Sequence, residues 1–356
     1  MNEEKTQKFK MIRIFAFFLL FIPCFAKAQQ TFNTTIYFDY GMFLTKRGPL
    51  TSNPKSNYLA FRRAYFTYEN KINDNLKFRF RYDADNTANI TSIDFTKGLT
   101  KKDDKLRPFI KHLYFEYAGL LPNSNLRVGM TETIQYKIAE DRWGYRSVAK
   151  TLMDNYKDMT GVDVDAPSAD LGISFNKNIA KQLRFTFMVS NGEGYSHAEK
   201  DKYKKFAANL HFIPIAGLSF VGYIDYEKQD AENSAMTYKV DGYMEMVRKL
   251  TIGAEYFIYK NDKNLTAEME RFDVLGFSIF SRYTVIEGSL SLFARFDLYE
   301  PNSSSKSDEM NLIIAGFDFS PWDKSMKIQP NIWYRAYADK AKKDDVIFNI
   351  TFFLSF

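Results

Sequence analysis

The sequence predicts an all-β fold, a transmembrane antiparallel β-barrel, on three observations. Apolar and polar side chains alternate with a period of two in segment after segment. No stretch beyond residue 28 approaches the roughly 20 apolar residues that a membrane-crossing helix needs. Tyr (23) and Phe (34) supply most of a 17% aromatic content, which suits a barrel that places aromatics on its lipid face and in two interfacial girdles.

The chain begins with the layout of a secretory leader. Basic Lys5, Lys8, Lys10 and Arg13 precede the apolar run Ile14 to Phe25, and Ala26-Lys27-Ala28 forms a small-x-small cleavage site. Residues 1–28 are therefore expected to be a signal peptide, leaving a barrel of residues 29–356. The only cysteine, Cys24, lies inside the leader, and Pro23 before it argues against lipid attachment. The mature chain then has no thiol, and nothing staples it covalently. The leader carries five Lys/Arg against Glu3 and Glu4, so of the chain's +6 only +3 belongs to the remainder. That weak bias removes most of the case for nucleic acid as a partner.

In Leu76-Lys77-Phe78-Arg79-Phe80-Arg81-Tyr82-Asp83 every even position is apolar and every odd one charged. The opposite register would place Lys77, Arg79 and Arg81 in hydrocarbon at up to about 2–4 kcal/mol each near the midplane. The same alternation returns at Leu183 to Ser190, Tyr238 to Met246, Leu290 to Leu298, Met326 to Ala336 and Val346 to Phe356. Two further segments, 272 to 281 and 310 to 319, have mixed faces. A soluble β-sandwich would also bury one face, but its strands would pack into one core and need fewer evenly spaced hairpins.

Connectors alternate in length. Short ones fall near 70–75, 118–125, 176–182, 213–217, 247–249, 282–286 and 320–325, and longer polar ones at 47–57, 84–107, 131–169, 191–204, 227–235, 260–270, 300–308 and 338–344. Seven short and eight long joints separate sixteen strands, with fourteen and eighteen left open. In outer-membrane barrels the short turns are periplasmic and the long loops external.

Some of these segments resemble a known family. Leu59-Ala60-Phe61-Arg62-Arg63-Ala64-Tyr65-Phe66-Thr67-Tyr68-Glu69, followed by Asn75-Leu76-Lys77-Phe78-Arg79-Phe80-Arg81-Tyr82-Asp83, resembles the first hairpin of the phosphate-selective porins O and P and their less specific relatives. His112 to Tyr117, Leu126-Arg127-Val128-Gly129-Met130, Asp170-Leu171-Gly172-Ile173-Ser174 and Val189 to Tyr195 follow in the family's order, so the resemblance spans most of the mature chain. It implies a sixteen-stranded porin of the bacterial outer membrane, a homotrimer in contact with lipid, that lets small hydrophilic solutes diffuse passively. It also implies a loop folded into the lumen, for which 131–169 is the candidate. The terminal Phe356 resembles the signal that outer-membrane assembly machinery reads.

By parity the inward cations are Arg63, Lys77, Arg79, Arg81, Arg127, Arg184, Lys239, Arg295, Lys327 and Arg335, the candidate pore-lining and anion-binding residues. Among the inward acids are Asp83, Glu116, Asp225, Asp241, Glu245, Glu255 and Asp297. Successive inward residues on a strand stand about 6.6–7 Å apart, so Lys77, Arg79 and Arg81 form a basic ladder. Such a row offers phosphate or another anion comparable, shallow sites. The alternative is that these charges only wet the wall and cross-link strands, with the acids neutralising them.

Catalysis has little support. His112 and His211 sit in strands and His197 in a loop, with no local motif of a barrel lipase or protease. No His or Cys cluster has metal-ligand spacing, and the loop acids Asp103, Asp104, Asp163 and Asp165 read as a solvated charge run. No cofactor is expected. The competing function is a plugged structural or adhesive barrel that binds a partner through 84–107 or 131–169.

Overall fold

The computed structural model describes residues 29–45, 57–86, 89–94, 99–103, 105–247 and 249–356. The expected leader, residues 1–28, and nearly all of the 47–57 connector lie outside the described residues.

From the N-terminus the strands are β1 (Gln29–Phe43), β2 (Asn57–Lys71), β3 (Leu76–Asn86), β4 (Asn89–Asp94), β5 (Leu99–Asp103), β6 (Leu106–Ala118), β7 (Ser124–Glu132), β8 (Ala169–Ala180) and β9 (Leu183–Ser190). They continue with β10 (Lys205–Ile215), β11 (Leu218–Lys228), β12 (Ser234–Val247), β13 (Leu250–Leu265), β14 (Arg271–Ile286), β15 (Leu290–Glu300), β16 (Met310–Phe319), β17 (Met326–Tyr337) and β18 (Asp345–Ser355). Sixteen of the described strands close into one antiparallel barrel, each beside its neighbour in sequence, while β4 and β5 pair as a separate ribbon within the β3–β6 connection. Closure comes from β18 lying against β1, where Thr34 N donates to Phe356 O at 2.7 Å and Phe356 N to Thr34 O at 3.0 Å. A closed sheet leaves no unpaired edge, the condition for strands to exist in lipid.

The alternation sets the faces. Phe66, Phe115, Ile173, Leu210, Ile224 and Leu292 are exposed on the outside, while Thr67, Glu116, Thr186, Asp225 and Thr237 are buried on the inside. An apolar outer band around a polar interior is the inverse of a soluble protein, and it suits a barrel standing in a membrane.

Tight joints gather at one rim. In the β2–β3 turn, Asn73 Oδ1 accepts from the backbone N–H groups of Asn75 (2.9 Å) and Leu76 (2.8 Å), an Asx turn. Gly217 joins β10 to β11 at φ +82°, where an added Cβ would come within 2.3 Å of Glu245 O. The joint expected at 282–286 lies later: β14 runs through Ile286 and turns after it, because Tyr283, Val285 and Ile286 continue the outward apolar face.

The largest departure from the sequence reading is between β7 and β8. Two short helices form there, α1 (Lys137–Trp143) and α2 (Leu152–Thr160), ended by Gly144 and Gly161 in the left-handed region. They explain the mixed faces. This segment packs on the inner wall of β11 to β16, where inward Val221, Phe257, Val274, Phe280, Phe293, Leu312 and Ile314 join one core cluster with Trp143, Leu152 and Tyr156. Strands that face lipid outside and a packed insert inside are apolar on both faces.

Candidate functional site: the lumen and its inserted segment

The insert is held by packing along one side. The Trp143 ring lies 5.4 Å from Phe280 and 5.9 Å from Phe293, and Tyr156 lies 5.4 Å from Phe257 and 5.2 Å from Tyr299. Burying each such side chain stabilises the docked position by about 1.5–3 kcal/mol. The wall makes room by pairing large with small: a Cβ on Gly276 would stand 2.3 Å from the Phe257 ring.

Polar ties then carry the insert across the barrel. Tyr156 OH donates to Leu275 O at 2.8 Å on β14, and Lys205 Nζ on β10 donates to Asp165 O at 2.6 Å. Ser147 Oγ donates to Gln329 Oε1 at 2.6 Å on β17, and Arg62 on β2 donates to Ser147 O while pairing with Asp39. The insert thus reaches β2, three strands around the barrel from β7, and β17, six strands around. Within it Arg146 pairs with Asp154 (2.7 Å) and Glu140 (3.0 Å). Burial alone would push the Asp154 carboxyl up, but Arg146, then Lys150, Lys111 and Arg63, hold it below the usual carboxylate range.

The ten sequence-predicted cations meet three fates. Six lie toward the lumen with a carboxylate partner: Arg63 with Asp83 (3.1 Å) and Asp85 (3.0 Å), Lys77 with Glu116 (3.7 Å), Arg79 with Glu132 (3.1 Å) and Glu69 (3.3 Å), Arg127 with Glu116 (2.6 Å) and Glu132 (2.7 Å), Lys327 with Asp318 (3.2 Å), and Arg335 with Asp345 (3.1 Å). Two have no carboxylate within ion-pair distance among the described residues: Arg81 donates to Thr67 Oγ1 at 2.8 Å and lies over the Tyr65 ring, and Arg184 faces the cavity described below.

The remaining two, Lys239 and Arg295, require a correction. Both point inward, but their side chains are 0% and 1% exposed, sealed between wall and insert. Lys239 is held by Asp241 (2.7 Å) and Glu255 (3.2 Å), and Arg295 by Asp297 (2.5 Å) and Lys150 O (2.6 Å). They line no water, because parity assigns a side chain to a face and does not say what covers that face.

Parity also missed residues. A β-bulge between Tyr37 and Phe38 pairs Arg63 with Tyr37 and skips Arg62, so both arginines reach the interior. A second bulge on β6 does the same for Lys111 and His112, both buried, and brings Lys111 Nζ to 3.6 Å from Asp83. Arg142, Arg146 and Lys137 arrive on the insert, whose placement no strand pattern reveals. The doubled basic pairs Arg62-Arg63 and Lys111-His112, each interrupting an alternating run, were the available signal for the bulges.

Beside the insert, toward the short-turn rim, an open cavity of about 550 Å³ is bounded by α1 and by β3, β7, β8, β9, β10 and β12. Its wall carries Arg79, Arg127, Lys137, Arg142 and Arg184 against Glu132, Asp141 and Glu245. Neutral hydrogen-bonding groups supply much of the rest: Asn125, Ser174, Asn176, Thr186, Asn209 and His211. Among the described residues no group of three or more His, Cys, Asp or Glu is placed to hold a metal ion.

No family model and no curated protein matches the chain. Solved structures do resemble it. An anion-selective porin from Comamonas acidovorans superposes with a TM-score of 0.65 at 9% identity, covering 93% of this chain and 100% of that one. OprB of Pseudomonas putida gives 0.65 at 8% over 92% and 94%, and the trimer form of OmpT, an outer-membrane protein of Vibrio cholerae, gives 0.61 at 12% over 93% and 100%. At such identities the likeness is one of architecture: this chain has the closed sixteen-stranded fold of bacterial outer-membrane porins.

Proposed function

We propose that this chain, exported by its leader, is an outer-membrane porin that gives passive diffusion to small hydrophilic solutes. One observation carries the reading: the lumen of a closed, lipid-facing barrel holds a folded insert on one side and leaves a polar cavity of about 550 Å³ on the other. The insert, within residues 131–169, acts as the constriction.

A general diffusion pore with a mild anion preference fits the charges better than a phosphate-selective one. Eight of the ten expected cations have a carboxylate within 4 Å. Neutralised pairs keep the wall wet and rigid but offer an anion little net field, so the preference rests on Arg81, Arg184 and the five-to-three cation excess in the cavity. The trimeric form of one structural neighbour supports a homotrimer.

The crossing of the insert to β2 and β17 favours a second reading, a plugged barrel with a structural or adhesive role. Planar-bilayer recording decides between them. The porin reading expects discrete conductance steps and a reversal potential in a KCl gradient displaced modestly toward the anion; silent bilayers containing folded protein favour the plug, and cation preference rejects the anion bias.

A further inference from the structure

We infer that the cavity beside α1 is a binding site for a small polyhydroxylated anion, a sugar acid in chemical class, with Arg184, Arg142 and His211 taking the acid group. The inference deepens the proposed diffusion function and rests on that reading for its physiological sense, although binding itself does not require an open pore.

Pairing locates the excess charge. Arg79 and Arg127 are matched by Glu69, Glu116 and Glu132, and Lys137 is paired with Asp141. At the other end of the cavity Glu245 alone answers both Arg142 (3.0 Å) and Arg282 (3.5 Å), and Arg184 has no ion pair among the described residues. Two positive charges therefore remain uncompensated at that end.

His211 stands directly opposite Arg184 in the β9–β10 ladder, which brings their side chains together on the inner face. It is 6% exposed, lines the cavity and leaves its Nε2 without a hydrogen-bond partner among the described residues. A buried imidazole nitrogen left open beside two guanidinium groups suits a ligand oxygen.

The neighbouring wall fixes the rest of the ligand. Asn176 Nδ2 donates to Thr186 Oγ1 at 2.8 Å, and Asn209 sits across the ladder from Thr186, so amides and a hydroxyl form a continuous neutral patch beside the cationic end. Such groups exchange hydrogen bonds with hydroxyls, and the absence of Phe, Tyr and Trp from the described lining residues favours an open-chain polyol over a stacked ring. The volume lies within the about 300–1,000 Å³ typical of small-ligand sites.

Equilibrium dialysis of the folded, detergent-solubilised protein tests this with three labelled probes: gluconate, the uncharged polyol sorbitol, and propionate, an anion without hydroxyls. Saturable gluconate binding, at least about tenfold tighter than either control, is expected, since the charge-assisted contact that sorbitol lacks is worth about that factor, as are about two of the hydroxyl hydrogen bonds that propionate lacks. Arg184→Gln and, separately, Asn209→Ala should each weaken it severalfold, with the heat-induced shift in gel mobility unchanged as a check on folding. Equal binding of propionate and gluconate, or no saturable binding by folded protein, would overturn the proposal. Bilayer recording of the same preparation keeps the readings apart: channels without gluconate binding sink the site and leave the pore, whereas gluconate binding with silent bilayers sinks the pore and leaves the site.

Discussion

At the scale of single residues, the lumen is governed by whether each buried charge keeps its partner. Asp39 is buried and is answered by Arg62, which also holds the far side of the insert through Ser147 O. Because Arg62 is partly exposed, Arg62→Ala is expected to cost a discounted 1–3 kcal/mol or so, chiefly from the carboxylate left unpaired. It should appear as a lower unfolding temperature with larger, noisier conductance, and Arg62→Ala with Asp39→Asn should recover the temperature but not the quiet channel. Asp154 supplies a pH dependence. Its depressed pKa means that the pair with Arg146 contributes fully above the ordinary carboxylate range and is lost as pH falls through the folded value, which lies beneath that range. Proteolysis of the insert should therefore stay constant from neutral pH down to that range and accelerate beneath it, and Asp154→Asn should abolish the step.

At the scale of elements, α1 and α2 are short and depend on packing for their position. Isolated helices of this length are marginal in water, so the docked insert is a property of the wall that receives it. Trp143→Ala removes a fully buried ring and its contacts with Phe280 and Phe293, at a cost of about 3–5 kcal/mol to docking. The barrel strands should survive: circular dichroism unchanged, protease cutting within 133–168 increased. Gly276→Val, which sets a Cβ and its methyls against Phe257, should loosen the same interface from the wall's side, and an unchanged insert in that variant would show that the wall does not position it. The strands were legible from sequence because lipid and water impose opposite demands on alternate residues. Their mixed stretches, 272–281 and 310–319, lost that contrast because Val274, Phe280, Leu312 and Ile314 meet the insert instead of water.

At the scale of the whole molecule, the barrel is stable only where its outer band meets hydrocarbon. Ile224 is exposed on the outer face midway along β11, and Ile224→Arg should lower folding into lipid bilayers by about 2–4 kcal/mol. Thr186→Arg on the lumen side should leave that equilibrium nearly unchanged and alter conductance instead. Equal effects at both positions would contradict the assignment of faces.

The sequence by itself determined what depends on local alternation and punctuation: the barrel strands, their inward and outward faces and the inward direction of most basic residues. Only the tertiary structure decided which inward charges see water. Lys239 and Arg295 share a face with Arg127 yet lie under an insert from a distant part of the chain, and Arg62 and Lys111 turn inward through bulges that exist only against a partner strand. The period of two is a property of one strand, whereas burial, pairing and the cavity at Arg184 arise between strands and insert, which the linear order of residues does not contain.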